Sequence, residues 1–342
     1  MCLPCYYNPS SQKGGCRFIP LNTTFQKSRQ KRKGLNMTVE KIFVVGAGLM
    51  GSGIAQNAIC SGYTVTLNDQ RMEALERAKA GIEKAMLRDV EKGRMTKGAC
   101  DAALARLALD PTLQGAADAD LVIEAVFENF DAKRAVFEQL EETCPPHTIF
   151  ASNTSSISLT ALAAATKRPT RVVGMHFFSP VPKMRLCEVI FGLLTEQEVL
   201  DQIAEVGEKL GKTLILSDDR PGFIVNRALL PMLNEACIIV GSNIGSVEDV
   251  DNGMKLGCNH PMGPLELADM IGLDVLLNVM NVMEKEIGSK YHPSMTLRKM
   301  VTSGFLGRKS GAGFYLYENG RKAGVNPILS RAHTLTKGHS ND

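Results

Sequence analysis

The sequence predicts an α/β fold with a mostly parallel sheet in its N-terminal part and an all-helical C-terminal part. Short apolar runs alternate with helical segments up to about residue 219, a pattern typical of parallel sheets with helices on both faces. A glycine-rich turn directly follows the first apolar run. Beyond Arg220 the strand signal almost vanishes, and apolar residues recur at the spacing of a helix.

The N-terminal strands are predicted from short runs of apolar or alternating residues. These runs cover residues 41–45, 63–69, 119–126, 148–152, 171–178 and 213–217. Helical spacing predicts helices between some of them, over residues 49–61, 71–92 and 97–107. Together these elements define an α/β domain over residues 37–219.

The C-terminal part is predicted to be a helical domain over residues 220–320, followed by a flexible tail at 321–342. Helices are expected over residues 223–240, 265–287 and 294–301. Apolar residues of these helices are expected to form an ordinary core and could also supply a homodimer face. They include Met270, Leu273, Leu276, Leu277, Met280 and Met283.

Charge and hydropathy exclude two classes of partner. The 342 residues carry a net charge of +3, but seven basic and no acidic residues lie in positions 1–36, which leaves 32 basic against 36 acidic residues elsewhere. This distribution does not favour nucleic-acid binding. With 44% apolar residues and no apolar run near the length of a membrane span, the chain is predicted to be soluble.

Residues 1–36 are predicted to be a disordered or non-native extension, because Met37 opens a self-sufficient domain. The extension could be a targeting segment or an artefact of start-site choice. Its Cys2 and Cys5 form a lone CxxC, which without a second pair or a nearby histidine does not predict a metal site. The six cysteines beyond residue 36 are scattered without a repeated spacing, which favours reduced thiols and a cytoplasmic location. They are Cys60, Cys100, Cys144, Cys187, Cys237 and Cys258.

The glycine-rich turn predicts a dinucleotide site. The stretch VVGAGLMGSG matches G-x-G-x-x-G at Gly46, Gly48 and Gly51, with Leu49 and Met50 between the second and third glycines. The first glycine permits a tight turn, the second lets the backbone approach a pyrophosphate, and the third allows close packing of helix on strand. Residues 37–219 are therefore predicted to be a Rossmann-like cofactor-binding domain.

Asp69 ends the second predicted strand, at the position expected for the acid that accepts the ribose hydroxyls of the cofactor. A carboxylate there should repel a 2′-phosphate, so NAD is favoured over NADP. Arg71, two residues later, could reverse that preference, and NADP is not excluded.

A histidine and a glutamate lie inside apolar runs of the stretch RVVGMHFFSPVPKMRLCEVI. Pro180 and Pro182 separate His176 from Glu188 and favour a turn. An antiparallel fold-back centred on residue 182 would make the two side chains facing neighbours. Such a carboxylate would fix the imidazole tautomer for proton transfer, although a satisfied core histidine with a buried partner would share the pattern.

From Val39 to about Tyr317 the chain resembles the 3-hydroxyacyl-CoA dehydrogenase family. The segments that carry the resemblance are VVGAGLMGSGIAQ, FASNTSS, GMHFFSPVP, LCEVI, PGFIVNR, HPMGPLELADMIGLD and KSGAGFY. The resemblance implies reversible NAD-dependent oxidation of (S)-3-hydroxyacyl-CoA to 3-ketoacyl-CoA, with short chains preferred, in butyrate or fatty-acid metabolism.

The resemblance also implies roles for individual residues. His176 would be the catalytic acid and base and Glu188 its orienting partner, with Ser155 and Asn226 as polar contacts to the substrate. Further matched positions would contact the nicotinamide cofactor, namely Glu128, Lys133, Asn153 and Lys309. Lys92 matches a lysine near the CoA phosphates, whereas Ala85 stands where long-chain members have a serine near CoA.

Two alternatives to this function remain on the sequence alone. One is a dehydrogenase for a free sugar acid of the gulonate type, which shares the same structural superfamily. The other is a non-catalytic protein that binds NAD and retains the fold. The motifs HFFSP and FIVNR favour the members of the superfamily that act on CoA thioesters. The presence of both His176 and Glu188 argues against the non-catalytic protein.

Overall fold

A computed structural model describes residues 38–329, and the predictions for residues 1–37 and 330–342 lie outside this range. Its main sheet has eight strands in the order β3-β2-β1-β4-β5-β6-β7-β8. The strands are β1 (Lys41–Val45), β2 (Thr64–Asn68), β3 (Leu107–Asp110), β4 (Leu121–Glu124), β5 (Ile149–Ser152), β6 (Val172–Phe177), β7 (Leu186–Phe191) and β8 (Thr213–Asp218). Every neighbouring pair is parallel except β6 and β7, so the predicted mostly parallel sheet is confirmed.

Helices cover both faces of this sheet. They are α1 (Leu49–Cys60), α2 (Met72–Glu91), α3 (Lys97–Leu104), α4 (Phe130–Thr143), α5 (Leu159–Ala164) and α6 (Gln197–Lys209). One apolar core joins α1, α2, α3 and α6 to one face, and a second joins α4 and α5 to the other. Because strand side chains alternate between faces, the strands β1, β4, β5, β6 and β7 contribute to both cores.

Strands β6 and β7 form the predicted antiparallel fold-back. Their register pairs His176 directly with Glu188 and Gly174 with Ile190. A side chain at Gly174 would collide with Ile190, since its Cβ would lie 2.8 Å from the isoleucine Cβ. This close approach brings the two strands together at the point where the ionisable pair lies.

The helical part begins directly after β8. It contains α7 (Val225–Gly241), α8 (Val247–Gly257), α9 (Pro264–Ile271), α10 (Leu273–Ile287) and α11 (Met295–Thr302), which share one apolar core. The predicted helix over residues 265–287 is wrong as a single element, because Gly272 takes φ +103° and separates α9 from α10. Helix α8 had no predicted counterpart.

A hairpin closes the helical part, which corrects the prediction of a flexible tail from residue 321. Strand β9 (Tyr315–Glu318) pairs antiparallel with β10 (Arg321–Val325). The turn between them is Asn319-Gly320, with φ values of 51° and 73°, a left-handed pair that favours two-residue hairpins. The Asp269 carboxylate of α9 fixes the hairpin by accepting hydrogen bonds from the backbone N–H groups of Phe314 and Tyr315, each at 2.9 Å.

A second correction concerns residues 97–107. Helix α3 ends at Leu104, and Leu107 already belongs to β3, a four-residue edge strand that pairs with β2. Between residues 38 and 329, no helix combines the length and the apolar character that a membrane crossing requires.

Candidate active site

The glycine turn between β1 and α1 has the close packing that its sequence predicts. Gly46 takes φ +100°, and a Cβ there would lie 2.7 Å from the carbonyl oxygen of Ala125 at the end of β4. A Cβ at Gly51 would lie only 1.8 Å from the Gly46 carbonyl oxygen. Larger residues at these two positions would therefore push the turn away from the neighbouring backbone.

Gly48 differs from the other two glycines because the space beside it is open. A Cβ at Gly48 would meet no atom within 4 Å among the described residues. Gly48 is also the N-cap of α1, so no side chain caps the N-terminus of this helix. The side chain of the next residue, Leu49, is 76% exposed. Met50 is half-buried and packs on the core. Open space in front of a helix N-terminus fits a pyrophosphate.

Asp69 lies directly after β2 and braces the glycine turn. One carboxylate oxygen accepts a hydrogen bond from the Ala47 N–H at 3.2 Å, and the other accepts one from the Arg71 N–H at 3.1 Å. The Arg71 guanidinium lies 3.7 Å from the same carboxylate. The Asp69 carboxylate is partly exposed and can accept hydrogen bonds from ribose hydroxyls. The Arg71 guanidinium would lie close to those hydroxyls.

His176 and Glu188 make direct contact. The imidazole Nδ1 lies 2.7 Å from Glu188 Oε2, with the histidine 7% exposed and the glutamate fully buried. The histidine Nε2 makes no hydrogen bond within residues 38–329. A buried pair with one ring nitrogen left free has the geometry of a proton-transfer group.

Glu188 also joins the two parts of the molecule. Its second oxygen, Oε1, accepts hydrogen bonds from the backbone N–H groups of Ile224 at 3.1 Å and Val225 at 3.0 Å, at the start of α7. Because two backbone N–H groups already donate to this carboxylate, the arrangement favours an imidazole that donates from Nδ1–H to Oε2. That tautomer leaves Nε2 as a lone-pair acceptor.

Aromatic side chains flank the imidazole. The ring centroids of Phe178 and Phe223 lie 4.6 Å and 5.8 Å from that of His176. Phe223 takes a left-handed φ of 47°, which is strained for a bulky residue, and directly precedes the two N–H groups that bind Glu188. The turn before α7 therefore fixes both members of the pair.

A second histidine–glutamate contact shows what distinguishes the first. His292 Nδ1 lies 2.6 Å from Glu284 Oε1, but its other nitrogen accepts a hydrogen bond from Arg298 at 2.8 Å. The His292 side chain is 51% exposed. Both ring nitrogens of His292 are hydrogen-bonded and the side chain is exposed to solvent, so the His292–Glu284 pair is an ordinary surface contact.

Ser155 and Glu128 meet at the carboxyl ends of β4 and β5. Glu128 Oε1 accepts hydrogen bonds from the Ser155 N–H at 2.8 Å and from the Ser155 hydroxyl at 3.2 Å. It also accepts bonds from Thr154 and Ser156. The two residues stand 27 positions apart in the sequence, so spacing could not predict this contact.

The Glu128 carboxylate is held in its ionised form. Burial alone would raise its pKa, but the ammonium of Lys133 and the hydrogen bonds from Thr154, Ser155 and Ser156 outweigh burial, so the pKa lies below its ordinary value. Lys133 itself is 1% exposed, with Nζ 3.4 Å from Glu128 and 2.7 Å from Glu124.

Glu124 is a buried ionisable residue that the sequence analysis did not single out. It ends β4, is fully buried, and accepts hydrogen bonds from Lys133, from the Val126 N–H at 2.7 Å and from the Ser152 hydroxyl at 2.6 Å. The signal was present in the sequence, because Glu124 interrupts an apolar strand run just as His176 and Glu188 do.

Asn153 and Asn226 lie close to the histidine–glutamate pair in different ways. The Asn153 side-chain oxygen accepts a hydrogen bond at 2.9 Å from the N–H of Phe177, the residue after His176. Asn226 is the second residue of α7 and follows the N–H groups that bind Glu188. Its half-buried amide makes no side-chain hydrogen bond within the described residues.

Lys92 and Lys309 are not brought into contact with the rest of the predicted site. Lys92 is exposed at the C-terminal end of α2, and Ala85 lies two turns earlier on the same helix. The Lys309 ammonium lies 2.6 Å from the carboxylate of Asp274 at the start of α10. A separate cleft of about 230 Å³, lined in part by Cys60 and Lys212, contains none of the predicted site residues.

The fold and this site define a two-domain dehydrogenase with a Rossmann-type NAD-binding domain. Two family models match the chain: the NAD binding domain of 3-hydroxyacyl-CoA dehydrogenase over residues 41–220, and the C-terminal domain of 3-hydroxyacyl-CoA dehydrogenase over residues 222–317. The chain therefore belongs to the 3-hydroxyacyl-CoA dehydrogenase family. This confirms the resemblance drawn from the sequence motifs and the prediction of NAD as cofactor.

Individual relatives agree with this assignment. The chain is 50% identical over 283 residues to a probable 3-hydroxybutyryl-CoA dehydrogenase of Bacillus subtilis (strain 168), covering 82% of this chain and 99% of that one. It is 41% identical over 312 residues to the human mitochondrial hydroxyacyl-coenzyme A dehydrogenase, covering 88% and 97%. The crystal structure of (S)-3-hydroxybutyryl-CoA dehydrogenase PaaH1 from Ralstonia eutropha superposes with a TM-score of 0.80 at 44% identity, covering 82% of this chain and all of that one.

Proposed function

We propose that the protein catalyses the reversible oxidation of (S)-3-hydroxyacyl-CoA to 3-ketoacyl-CoA with NAD, and that short acyl chains such as 3-hydroxybutyryl are preferred. The observation that carries the proposal is the buried contact of 2.7 Å between His176 Nδ1 and Glu188 Oε2, with Nε2 left free. The names of relatives that are 3-hydroxybutyryl-CoA dehydrogenases support the short chain.

The pair supplies the proton transfer that accompanies hydride transfer. In the oxidation, His176 Nε2 takes the proton of the substrate's 3-hydroxyl, while Glu188 stabilises the imidazolium that results. NAD⁺, when bound, would accept the hydride from C3. Loss of this hydride from C3 and of the proton from the 3-hydroxyl oxygen converts the alcohol into a ketone. In the reverse direction the imidazolium returns the proton to the oxygen.

Ser155 and Asn226 are proposed as polar contacts to the reacting substrate. The Ser155 hydroxyl lies 3.2 Å from Glu128, the longest of the hydrogen bonds that this carboxylate accepts, so this donor can turn toward a substrate oxygen at small cost. The Asn226 amide follows the α7 N-terminus that binds Glu188. An unpaired amide beside a cleft commonly binds a ligand oxygen.

CoA is proposed to lie near Lys92, whose exposed ammonium would bind a phosphate. The methyl side chain of Ala85 cannot donate a hydrogen bond. Helix α2 therefore lacks the polar contact to CoA that a serine at this position would provide. Glu128, Lys133, Asn153 and Lys309 are proposed to contribute to the nicotinamide site, either by touching the cofactor or by holding residues that do. Gly46, Gly48, Leu49, Met50, Gly51 and Asp69 would hold the remainder of the dinucleotide.

A homodimer through the helical part is also proposed, with the cytoplasm as the compartment. Several apolar side chains of this part are exposed, including Ile244 at 74%, Leu256 at 86% and Met295 at 60%. A continuous exposed apolar patch is typical of protein interfaces, and we propose that these residues belong to one. Light scattering coupled to size exclusion should give about twice the mass of one chain.

Steady-state reduction of acetoacetyl-CoA, followed by loss of nicotinamide absorbance, tests the activity. Turnover is expected with NADH and, because of Asp69, a lower kcat/KM with NADPH. Oxidation of gulonate serves as the comparison, and faster turnover of gulonate than of 3-hydroxybutyryl-CoA would replace the CoA substrate. No turnover of either acyl-CoA with either cofactor would reject the proposal.

A further inference from the structure

One buried lysine links two glutamates near the glycine turn. Lys133 Nζ lies 2.7 Å from Glu124 and 3.4 Å from Glu128, and it donates a further hydrogen bond to the Val126 carbonyl at 3.3 Å. Glu124 and Lys133 are 0% and 1% exposed. We call Glu124, Lys133 and Glu128 the charge triad. Its members carry two negative charges and one positive charge, so the triad has one net negative charge.

The position of the triad links it to the cofactor. Glu124 is the last residue of β4, and the next residue, Ala125, is the one against which Gly46 packs. The order of the strands reverses between β1 and β4, and in open parallel sheets the dinucleotide lies across the carboxyl ends of the strands at that reversal. At its other end, the triad contacts Ser155 through Glu128. Ser155 follows β5, where the nicotinamide end of the cofactor is expected.

The redox states of the cofactor differ in charge at this end. The nicotinamide ring of NAD⁺ carries one positive charge that is absent from NADH. A net negative charge in a partly buried site attracts the oxidised ring and has little effect on the neutral reduced ring. Ionisation of Glu128 at neutral pH, which follows from its lowered pKa, maintains this difference.

We propose that Glu124 sets the charge of the cofactor site: by pairing with Lys133, it leaves Glu128 as a net anion that favours NAD⁺ over NADH. Without Glu124, the Lys133 ammonium would neutralise Glu128, and the preference for the oxidised form would be lost. This role concerns binding of the cofactor and does not depend on which acyl-CoA is turned over.

Dissociation constants of NAD⁺ and NADH, measured by calorimetry and by NADH fluorescence, test the proposal. In Glu124→Gln the ratio Kd(NAD⁺)/Kd(NADH) should rise by about fivefold, the effect of one unit charge in a partly solvated cleft. The double variant Glu124→Gln/Lys133→Met restores one net negative charge and should return the ratio to within about twofold of the wild type.

The chain offers a matched control in the pair of Glu141 and Arg168. This pair is similarly buried, with a contact of 3.0 Å, but it lies at the C-terminal end of α4, near the start of β5 and away from the glycine turn. Glu141→Gln makes the same change of charge at another place. It should leave the ratio unchanged even though it lowers stability.

Two outcomes would overturn the proposal. One is a ratio in Glu124→Gln within about twofold of the wild type, and the other is a double variant that keeps the altered ratio. If circular dichroism shows that Glu124→Gln does not fold, Glu128→Gln removes the same charge from a more exposed position and must raise the ratio. Failure of the wild type to bind either form would instead reject the cofactor assignment.

Discussion

A buried carboxylate caps the start of a helix in each part of the molecule, yet only one of the two carboxylates has the surroundings of an active site. Glu188 accepts the N–H groups of Ile224 and Val225 at the start of α7. Asp251 of α8 accepts those of Leu265 at 2.8 Å and Glu266 at 3.1 Å at the start of α9. Both side chains are at most 1% exposed.

The third partner separates them. Glu188 binds His176, whose second ring nitrogen makes no hydrogen bond within the described residues and can therefore accept a proton from a substrate. Asp251 accepts a hydrogen bond at 2.8 Å from the Tyr315 hydroxyl, and burial together with the nearby Asp251 charge raises the pKa of that phenol. The same local arrangement therefore provides proton transfer in one place and holds the terminal hairpin in the other.

The largest expected effect comes from removing the charge of Glu188. In Glu188→Gln, Oε1 can still accept both helix N–H groups, but the amide nitrogen would face Nδ1 and favour the tautomer with a proton on Nε2. We expect kcat to fall at least about a hundredfold. Stability should change by less than about 2 kcal/mol, measured by urea unfolding. A kcat close to that of the wild type would remove Glu188 from the mechanism.

Removing the charge of Asp251 should have the opposite profile. Asp251→Asn places an amide donor among three donors, and we expect a loss of about 2–4 kcal/mol in the free energy of unfolding. Turnover per folded molecule should stay within about threefold of the wild type. Tyr315→Phe, which leaves the helix N–H bonds in place, is the matched control and should cost about 1 kcal/mol. A large loss of kcat at full folding would end the distinction between the two carboxylates.

A smaller effect concerns the pH dependence of stability in the helical part. Burial raises the pKa of Asp269 to about 6, against the hydrogen bonds from the hairpin that favour its ionised form. Because the folded pKa exceeds the unfolded one, this group's contribution is fully present below about pH 4 and is lost as pH rises through about 6. The difference in unfolding free energy between wild type and Asp269→Asn should shrink by about 2 kcal/mol from pH 4 to 7. A pH-independent difference would contradict this.

The sequence predicted the histidine–glutamate pair because its determinants are local. Two prolines between two apolar runs specify a fold-back, and a fold-back centred on residue 182 brings His176 opposite Glu188. The glycine turn was predictable for a similar reason: its three glycines lie within one strand–turn–helix unit, where Gly46 takes a positive φ and Gly51 packs against the Gly46 carbonyl oxygen.

Other parts of the site depend on contacts between distant segments. The bond between Ser155 and Glu128 exists because β4 and β5 are neighbours, which single-sequence periodicity does not reveal. The hairpin at Asn319-Gly320 was different, because the Asn-Gly signal was present and the surrounding charged residues concealed it. The break at Gly272 shows that a continuous apolar pattern does not guarantee a continuous helix.

Replacing His176 by glutamine tests the central claim most directly, because the change removes the proposed acid and base and spares the glycine turn. Reduction of acetoacetyl-CoA by NADH should slow at least about a hundredfold in kcat. The dissociation constant of NADH should stay within about twofold of the wild type. Unchanged turnover in His176→Gln would contradict the account.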